Sequence, residues 1–420
     1  MCVKTDAIMA VRLRVEGSRL IDPSGAQVRL AGFNWQIGRT GPDPGADTRR
    51  WAPKANLARL VGVLWGNTDP LQHHPNKECM TYEPPSYFND ECFRDLDPWV
   101  RSATDAGLWV ILAVRGEYVA GQNYATNPGS VVFRNATLQK MMFAMWRHVA
   151  DHYRNFDRIA AYELLNEPRD KEVSTERVRE FYEGACAAVQ QADPSTPCLV
   201  GGAPYYKLWT FDETIVLRNT TNVIYTFDYF NPEAFVFGHG MASVDASDVV
   251  PERRPMRGSN SRDGSTSSPN SGGGGNDSLS EPAVAYGGRY SCRLLYTGWE
   301  QHVCPTWNVS SPEDMIMFDK AWHAHNLRTF ALPLRDRFRV PLLMNQFEVV
   351  HGVTDAQGRY AYIADLLSLA LEFGIGWGWW TWEGGNSAGW SHGSSEIVFR
   401  WPNNSVMIDE PVLKSMDPYF

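Results

Sequence analysis

No apolar run in the chain approaches the roughly 20 residues that a helix needs to cross a bilayer, so no membrane span is expected. Met1 to Glu16 has no apolar stretch of the kind a secretory leader carries. Basic residues are not in excess. Lys and Arg total 39 against 48 Asp and Glu, a formal charge of −9, which argues against nucleic acid or an anionic membrane surface as partner. Histidine is sparse, at 10 residues, and no His-rich ligand cluster stands out; neither a metal nor another cofactor is expected. No repeat of fixed period is present, which excludes solenoids and propellers.

What the chain does have is aromatic residues and cysteine. It carries 16 Trp and 17 Tyr. Sugar rings present apolar C–H faces that stack on indole while their hydroxyls stay free to hydrogen-bond, so the excess fits a neutral polysaccharide or oligosaccharide partner; buried barrel tryptophans would account for it equally well. Six of the 7 cysteines fall into near neighbours, Cys79/Cys92, Cys186/Cys198 and Cys292/Cys304, with Cys2 left over. These spacings suit local loop staples formed in an oxidising compartment. Asn-x-Ser/Thr sequons begin at Asn135, Asn219, Asn276, Asn308 and Asn403. Cysteines and sequons together lead us to expect an extracellular or secretory-pathway protein, and a monomer.

Short apolar runs alternate with longer amphipathic stretches, the rhythm of repeated strand–helix units. An N-terminal hairpin is expected over about 11–30, turning at Asp22-Pro23-Ser24-Gly25. Strands are expected at Val28–Asn34, Leu57–Trp65, Leu108–Val114, Ile159–Leu165, Cys198–Gly202, Asn222–Phe227, Val340–Phe347 and Ile375–Trp380. The helices between them include Phe93–Ala106, Leu138–Arg154, Thr175–Gln191, Pro312–Arg335 and Arg359–Phe373. The count predicts one (β/α)₈ barrel domain over 1–420. The stretch from about 245 to 285, centred on Pro251–Pro282 and rich in Ser, Gly, Asn and Arg, reads as a disordered low-complexity insertion after the sixth strand.

In such a barrel the chemistry lies at the C-terminal ends of the strands. Two carboxylates stand there: Glu167, after the fourth strand in Asn166-Glu167-Pro168, and Glu348, after the seventh in Asn345-Gln346-Phe347-Glu348. Paired carboxylates suit acetal cleavage, in which one protonates the glycosidic oxygen and the other attacks the anomeric carbon or activates water.

The run Tyr162-Glu163-Leu164-Leu165-Asn166-Glu167-Pro168 resembles the Asn-Glu-Pro signature of clan A glycoside hydrolases, in particular family 5, the cellulase family. The resemblance covers nearly the whole chain outside the insertion. It implies Glu167 as general acid/base, Glu348 as nucleophile and Asn166 as donor to a sugar 2-hydroxyl. It further implies Arg59 as the cation holding Glu348 ionised, unless Arg59 is a structural partner of Glu163. Trp380 would floor the site, with Trp382 its close rival, and Trp65 is a candidate sugar platform. Trp35, His351 and His392 also lie near strand ends; each His reads more simply as a satisfied loop residue.

Two positions depart from the pattern. Arg115 stands where the family has a His after the third strand. Asp228-Tyr229-Phe230 stands in place of His-x-Tyr after the sixth. Tyr229 is expected to bond the nucleophile in place of the usual Tyr, and an Arg115–Asp228 pair to replace two histidines. The expected activity is retaining hydrolysis of a β-1,4-glucan. β-Mannan is the next candidate, since Arg169 extends the motif to Asn-Glu-Pro-Arg. Exo-acting glucosidases, glycolipid glycosidases, a carbohydrate-binding pseudo-enzyme and a metal-dependent barrel hydrolase are the competing readings.

Overall fold

The computed structural model describes residues 10–36, 43–64, 79–81, 83–115, 131–168, 170–237, 284–296, 298–308, 314–351, 355–383, 395–400 and 405–420. Eight parallel strands close into a barrel: β1 Ala31–Gln36, β2 Leu57–Leu64, β3 Trp109–Arg115, β4 Ile159–Asn166, β5 Cys198–Gly201, β6 Val223–Tyr229, β7 Leu342–Phe347 and β8 Gly376–Trp379, which pairs back onto β1. The strands are near-continuous apolar runs because both of their faces are covered.

Two cores result. Outward side chains such as Phe33, Leu60, Leu112, Tyr162, Phe227 and Met344 pack under the helices. Inside the barrel, Leu57, Ile111, Ala161, Leu199, Ile224 and Leu343 meet Leu13, Leu20 and Leu30 from the N-terminal segment, which plugs the bottom. Helix Ala136–Tyr153 illustrates the outer packing. Asn135 caps it by accepting from Thr137 N and Leu138 N, and Met142, Met145, Trp146 and Val149 form its buried stripe. Burying each such side chain stabilises the fold by roughly 1.5–3 kcal/mol.

The N-terminal segment is a three-stranded meander, Arg14–Glu16, Arg19–Ile21 and Gln27–Val28, rather than one hairpin. Gly17, at φ +60°, makes the additional turn. A larger correction concerns 312–335, expected to be one helix. Met315–Met317 is instead a strand, antiparallel to Arg289–Ser291, with an exposed–buried–exposed alternation of period two. Helix begins only at Lys320, where Asp319 accepts from Ala321 N and Trp322 N. The three cysteine pairs are disulfide-bonded, Cys79–Cys92, Cys186–Cys198 and Cys292–Cys304. The insertion centred on Pro251–Pro282 lies outside the described residues. Among the described residues no helix is long and apolar enough to cross a membrane.

Candidate active site

Above the apolar plug the barrel interior turns polar, and one cation organises it. Arg59 on β2 has no solvent exposure. Its Nε donates to Glu163 Oε2 at 2.6 Å and its Nη2 to Glu163 Oε1 at 2.7 Å. Nη1 donates to Asn34 Oδ1 at 2.6 Å, and Nη2 also reaches Asn166 Oδ1 at 2.7 Å. Burial alone would favour a neutral guanidine. The charge and hydrogen bonds of Glu163 outweigh it and hold the Arg59 pKa above its ordinary value. Asn34 continues the layer, donating from Nδ2 to the carbonyls of Asn345 and Trp379 at 2.8 and 3.0 Å. Gly378 leaves the room for that crossing: a Cβ there would stand 3.2 Å from Asn34 Nδ2 and 2.8 Å from Asn345 O.

The mouth is shaped by two bulges. On β4, Ala113 lies opposite Glu163 but Arg115 opposite Asn166, so β4 gains one residue. On β7, Met344 lies opposite Phe227 and Gln346 opposite Asp228, again one residue extra. A bulge re-aims side chains that strict alternation would send outward. Thus Asn345 Nδ2 donates to Glu163 Oε1 at 3.3 Å, and its neighbour Gln346 also turns inward, donating from Nε2 to Asn166 Oδ1 at 3.0 Å and to Asp228 Oδ2 at 3.3 Å. Glu167 leaves β4 at φ +43°, a left-handed conformation that costs a non-glycine residue about 1–3 kcal/mol and collects at functional sites. It is half-buried and accepts from Asn166 Nδ2 at 3.5 Å.

Glu348 is also half-buried, and the hydroxyl of buried Ser395 donates to its carboxyl. Burial pushes the Glu348 pKa up to about 8; the charges of Glu396 and Glu167 add to this, and the Ser395 bond and Arg359 oppose it. Glu167 and Glu348 therefore share one field at the mouth. Trp380, half-buried directly after β8, donates its main-chain N–H to Phe347 O at 3.0 Å. Its peptide bond to Thr381 is cis.

Several expectations are corrected. Arg59 is a structural partner of Glu163 and Asn166 with no solvent exposure; among the described residues Arg359 is the cation that most favours an ionised Glu348. Tyr229 does not reach Glu348. Alternation along β6 sends Tyr225, Phe227 and Tyr229 out under the helices and Ile224, Thr226 and Asp228 inward. The Tyr229 hydroxyl meets His323 Nδ1 at 2.9 Å and accepts from Asn326 Nδ2 at 3.3 Å. Trp382 is core: fully buried, stacked on Trp35 with ring centroids 5.1 Å apart, and edge-on to Phe33 at 4.6 Å. His351, by contrast, is the satisfied loop residue expected, held by Glu396 O at 2.9 Å and Asp409 at 3.5 Å.

Asp228 does come into the site, through Glu167 and Gln346. The side chain of Arg115, together with Trp65, Arg169 and His392, lies outside the described residues, so the Arg115–Asp228 pair does too. Sequence reasoning missed Ser395, Gln346 and Asn345. The bulge beside the last two leaves no mark in an apolar–polar pattern, and Ser395 is brought to Glu348 only by the turn of the chain after β8. Among the described residues no group of three or more His, Cys, Asp or Glu could hold a metal ion.

The profile of the family described as Cellulase (glycosyl hydrolase family 5) matches residues 21–257, more than half of the chain, and includes Asn166-Glu167-Pro168 but ends before Glu348. Endoglucanase C of Acetivibrio thermocellus is 22% identical over 270 residues, covering 63% of this chain and 66% of that protein, just under two thirds of its length. Endoglucanase Cel5A from Thermotoga maritima superposes with a TM-score of 0.59 at 13% identity, covering 92% of this chain and 96% of that one. A structure of Thermotoga maritima Cel5A with mannotriose gives a TM-score of 0.57 at 13% identity over 92% and 97%.

Proposed function

The chain belongs to the cellulase family, glycosyl hydrolase family 5, and from that premise we propose that it is a retaining endo-β-1,4-glucanase. Glu167 is its general acid/base and Glu348 its nucleophile. The observation that carries this reading is the pair of half-buried carboxyls, each ending a barrel strand and each within the other's field, with half-buried Trp380 joined through its main chain to Phe347, next to Glu348. Hydrolysis by double displacement needs this set. Glu348 attacks the anomeric carbon as Glu167 protonates the departing oxygen; Glu167 then deprotonates the water that releases the sugar. Asn166 is held by Arg59 and Gln346 at its Oδ1, which leaves its Nδ2 turned toward Glu167 and the mouth, where a sugar 2-hydroxyl would lie.

Endoglucanase relatives support glucan as the polymer. The mannotriose complex of the Thermotoga maritima enzyme gives β-mannan as the second reading. The three disulfides support passage through an oxidising compartment and hence an extracellular protein.

The test is reducing-sugar release from β-glucans, β-mannans and xylans by the native chain and by Glu348→Gln, with the anomer of the first product read by proton NMR. Release from one polymer, abolished in the variant and giving the β-anomer first, is expected. Binding without hydrolysis in both proteins would mark a pseudo-enzyme. An α-anomer as first product would refute retention.

A further inference from the structure

Asp228 is a buried carboxyl that no cation among the described residues holds by a hydrogen bond or ion pair. It has no solvent exposure and sits in β6 opposite Gln346. Its Oδ2 accepts from Gln346 Nε2 at 3.3 Å, and its Oδ1 meets no N–H or hydroxyl donor among the described residues. Side chains tie it to the Glu167 carboxyl: Gln346 Nε2 holds both Asp228 Oδ2 and Asn166 Oδ1, and Asn166 Nδ2 reaches Glu167 Oε2 at 3.5 Å, which leaves the Asp228 and Glu167 carboxyls to bear on each other directly. Two carboxyls bond to each other only when one of them carries a proton.

The charges around it make the same demand. From β2, Arg59 faces Asp228, but it is committed to both oxygens of Glu163 on β4. From the loop after β5, the main chain of Tyr206 and Lys207 pairs with that of Asp228, while the Lys207 ammonium goes to Glu233 and Glu300. From β7, Gln346 is neutral. Burial, then the charge and hydrogen bond of Glu167, then Glu163 push the Asp228 pKa well above the carboxylate range, with Arg59 opposing. Like-charged carboxyls this close in a buried site cannot both ionise, and they titrate as a unit.

We propose that Asp228 is a positioning residue for Glu167, the two carboxyls holding one proton between them as the reservoir for general acid catalysis. This rests on the reading of Glu167 as acid/base. When the bond from the anomeric carbon to the departing oxygen breaks, the proton leaves a Glu167 oxygen and forms the O–H of the departing sugar. The pair is then doubly negative while the Glu348 ester is formed. In the second half, water adds to the anomeric carbon, the ester bond to Glu348 breaks, and the water's second proton returns to the pair. The doubly negative state is costly, so it sets a high pKa for loss of the stored proton and keeps the acid armed toward alkaline pH. A lone Glu167 would lose its proton earlier.

The test is kcat/KM against pH for native protein, Asp228→Asn and Glu167→Gln. The two substrates are cellotetraose and 2,4-dinitrophenyl β-cellobioside, whose leaving group needs little protonation. Asp228→Asn keeps the shape and removes the second charge. On cellotetraose its alkaline limb is expected to move down by about one pH unit or more, a tenfold loss above the limb, and the shift is expected to shrink on the dinitrophenyl substrate. A merely structural Asp228 would leave the limb where it is, and an unmoved limb in a folded variant overturns the proposal alone. Undiminished cellotetraose hydrolysis by Glu167→Gln would overturn the acid assignment and this proposal with it. If Asp228→Asn does not fold, carbon-13 NMR of labelled aspartate carboxyls decides. The native protein should hold one Asp neutral at pH 7, whose pKa falls in Glu167→Gln; titration of every Asp below pH 5 would overturn it.

Discussion

Replacing Arg59 by Met separates a buried structural cation from one that meets the substrate. The substitution deletes four hydrogen bonds, two to Glu163 and one each to Asn34 and Asn166. It leaves Glu163, itself without solvent exposure, with Asn345 at 3.3 Å as its one hydrogen-bond partner among the described residues. Removing one partner of a buried ion pair costs about 3–5 kcal/mol, because the other charge is stranded. With about 2.1 cal/mol/K of unfolding entropy per residue, a chain of 420 residues has a slope near ~0.9 kcal/mol/K, so the melting temperature should fall by roughly 3–6 °C. Replacing both members with apolar residues, Arg59→Met with Glu163→Leu, should recover most of that loss. Activity should fall in both variants, because Asn166 loses its anchor and a displacement of about 1 Å at a reacting group costs on the order of 10²-fold. The assay is intrinsic tryptophan fluorescence on heating, followed by steady-state kinetics. An unchanged melting temperature in Arg59→Met, with the damage confined to KM, would refute the buried-pair account. So would a double variant no more stable than the single one.

Ser395→Ala removes a hydrogen bond to a charged group worth about 1.5–3 kcal/mol, or about one to two pKa units on Glu348; the acidic limb of kcat/KM should rise by that amount, and a pH–rate profile with the limb unmoved would show that Ser395 is a bystander. Glu348 itself should make the fold pH-sensitive. Its pKa is raised from 4.5 to about 8 on folding, so the native state keeps a proton that the unfolded chain gives up, and stability is lost as pH rises through that window. Thermal melts should therefore show Glu348→Gln gaining more over native at pH 8 than at pH 4.5; equal gains would contradict the assignment. Trp380→Ala should weaken oligosaccharide binding with little change in melting temperature, whereas Trp382→Ala, which empties a fully buried indole site, should cost about 3–5 kcal/mol of stability; titration calorimetry and melting curves would expose the reverse pattern.

The barrel was legible because its strands are buried on both faces and its helices on one, so each element advertises its period. Both catalytic candidates were legible because a Glu that ends an apolar strand has few structural reasons to be there. What misled the reading was side-chain direction. Tyr229 looked one residue out of place against the family pattern, yet the alternation Tyr225, Phe227, Tyr229 already pointed it outward; extending the sixth strand from Phe227 to Tyr229 would have shown this. Trp382 competed with Trp380 as a mouth residue, but the chain after Trp380 turns back beside β1, where Trp382 N donates to Asn34 O at 2.9 Å. Arg59 was assigned to Glu348 through the resemblance, although Glu163, lying inward on β4 at the same depth, was the partner that geometry permits.

That last substitution of partners changes how the mouth handles charge. If Arg59 neutralised Glu348, the two proposed catalytic carboxyls would be set apart by a fixed cation, one ionised and one not. Here the Arg59 guanidinium is spent on Glu163, Arg359 bears on Glu348 only through its charge, and on the proposal above Glu167 and Asp228 divide their charge by sharing a proton. Electrostatic preorganisation is then carried by neutral donors, the Ser395 hydroxyl on Glu348 and the amides of Asn166 and Gln346 around Glu167 and Asp228. Neutral donors stabilise a carboxylate less than a cation does, but they let its proton come and go near the working pH, which an acid/base that must reverse its role twice in each turnover requires.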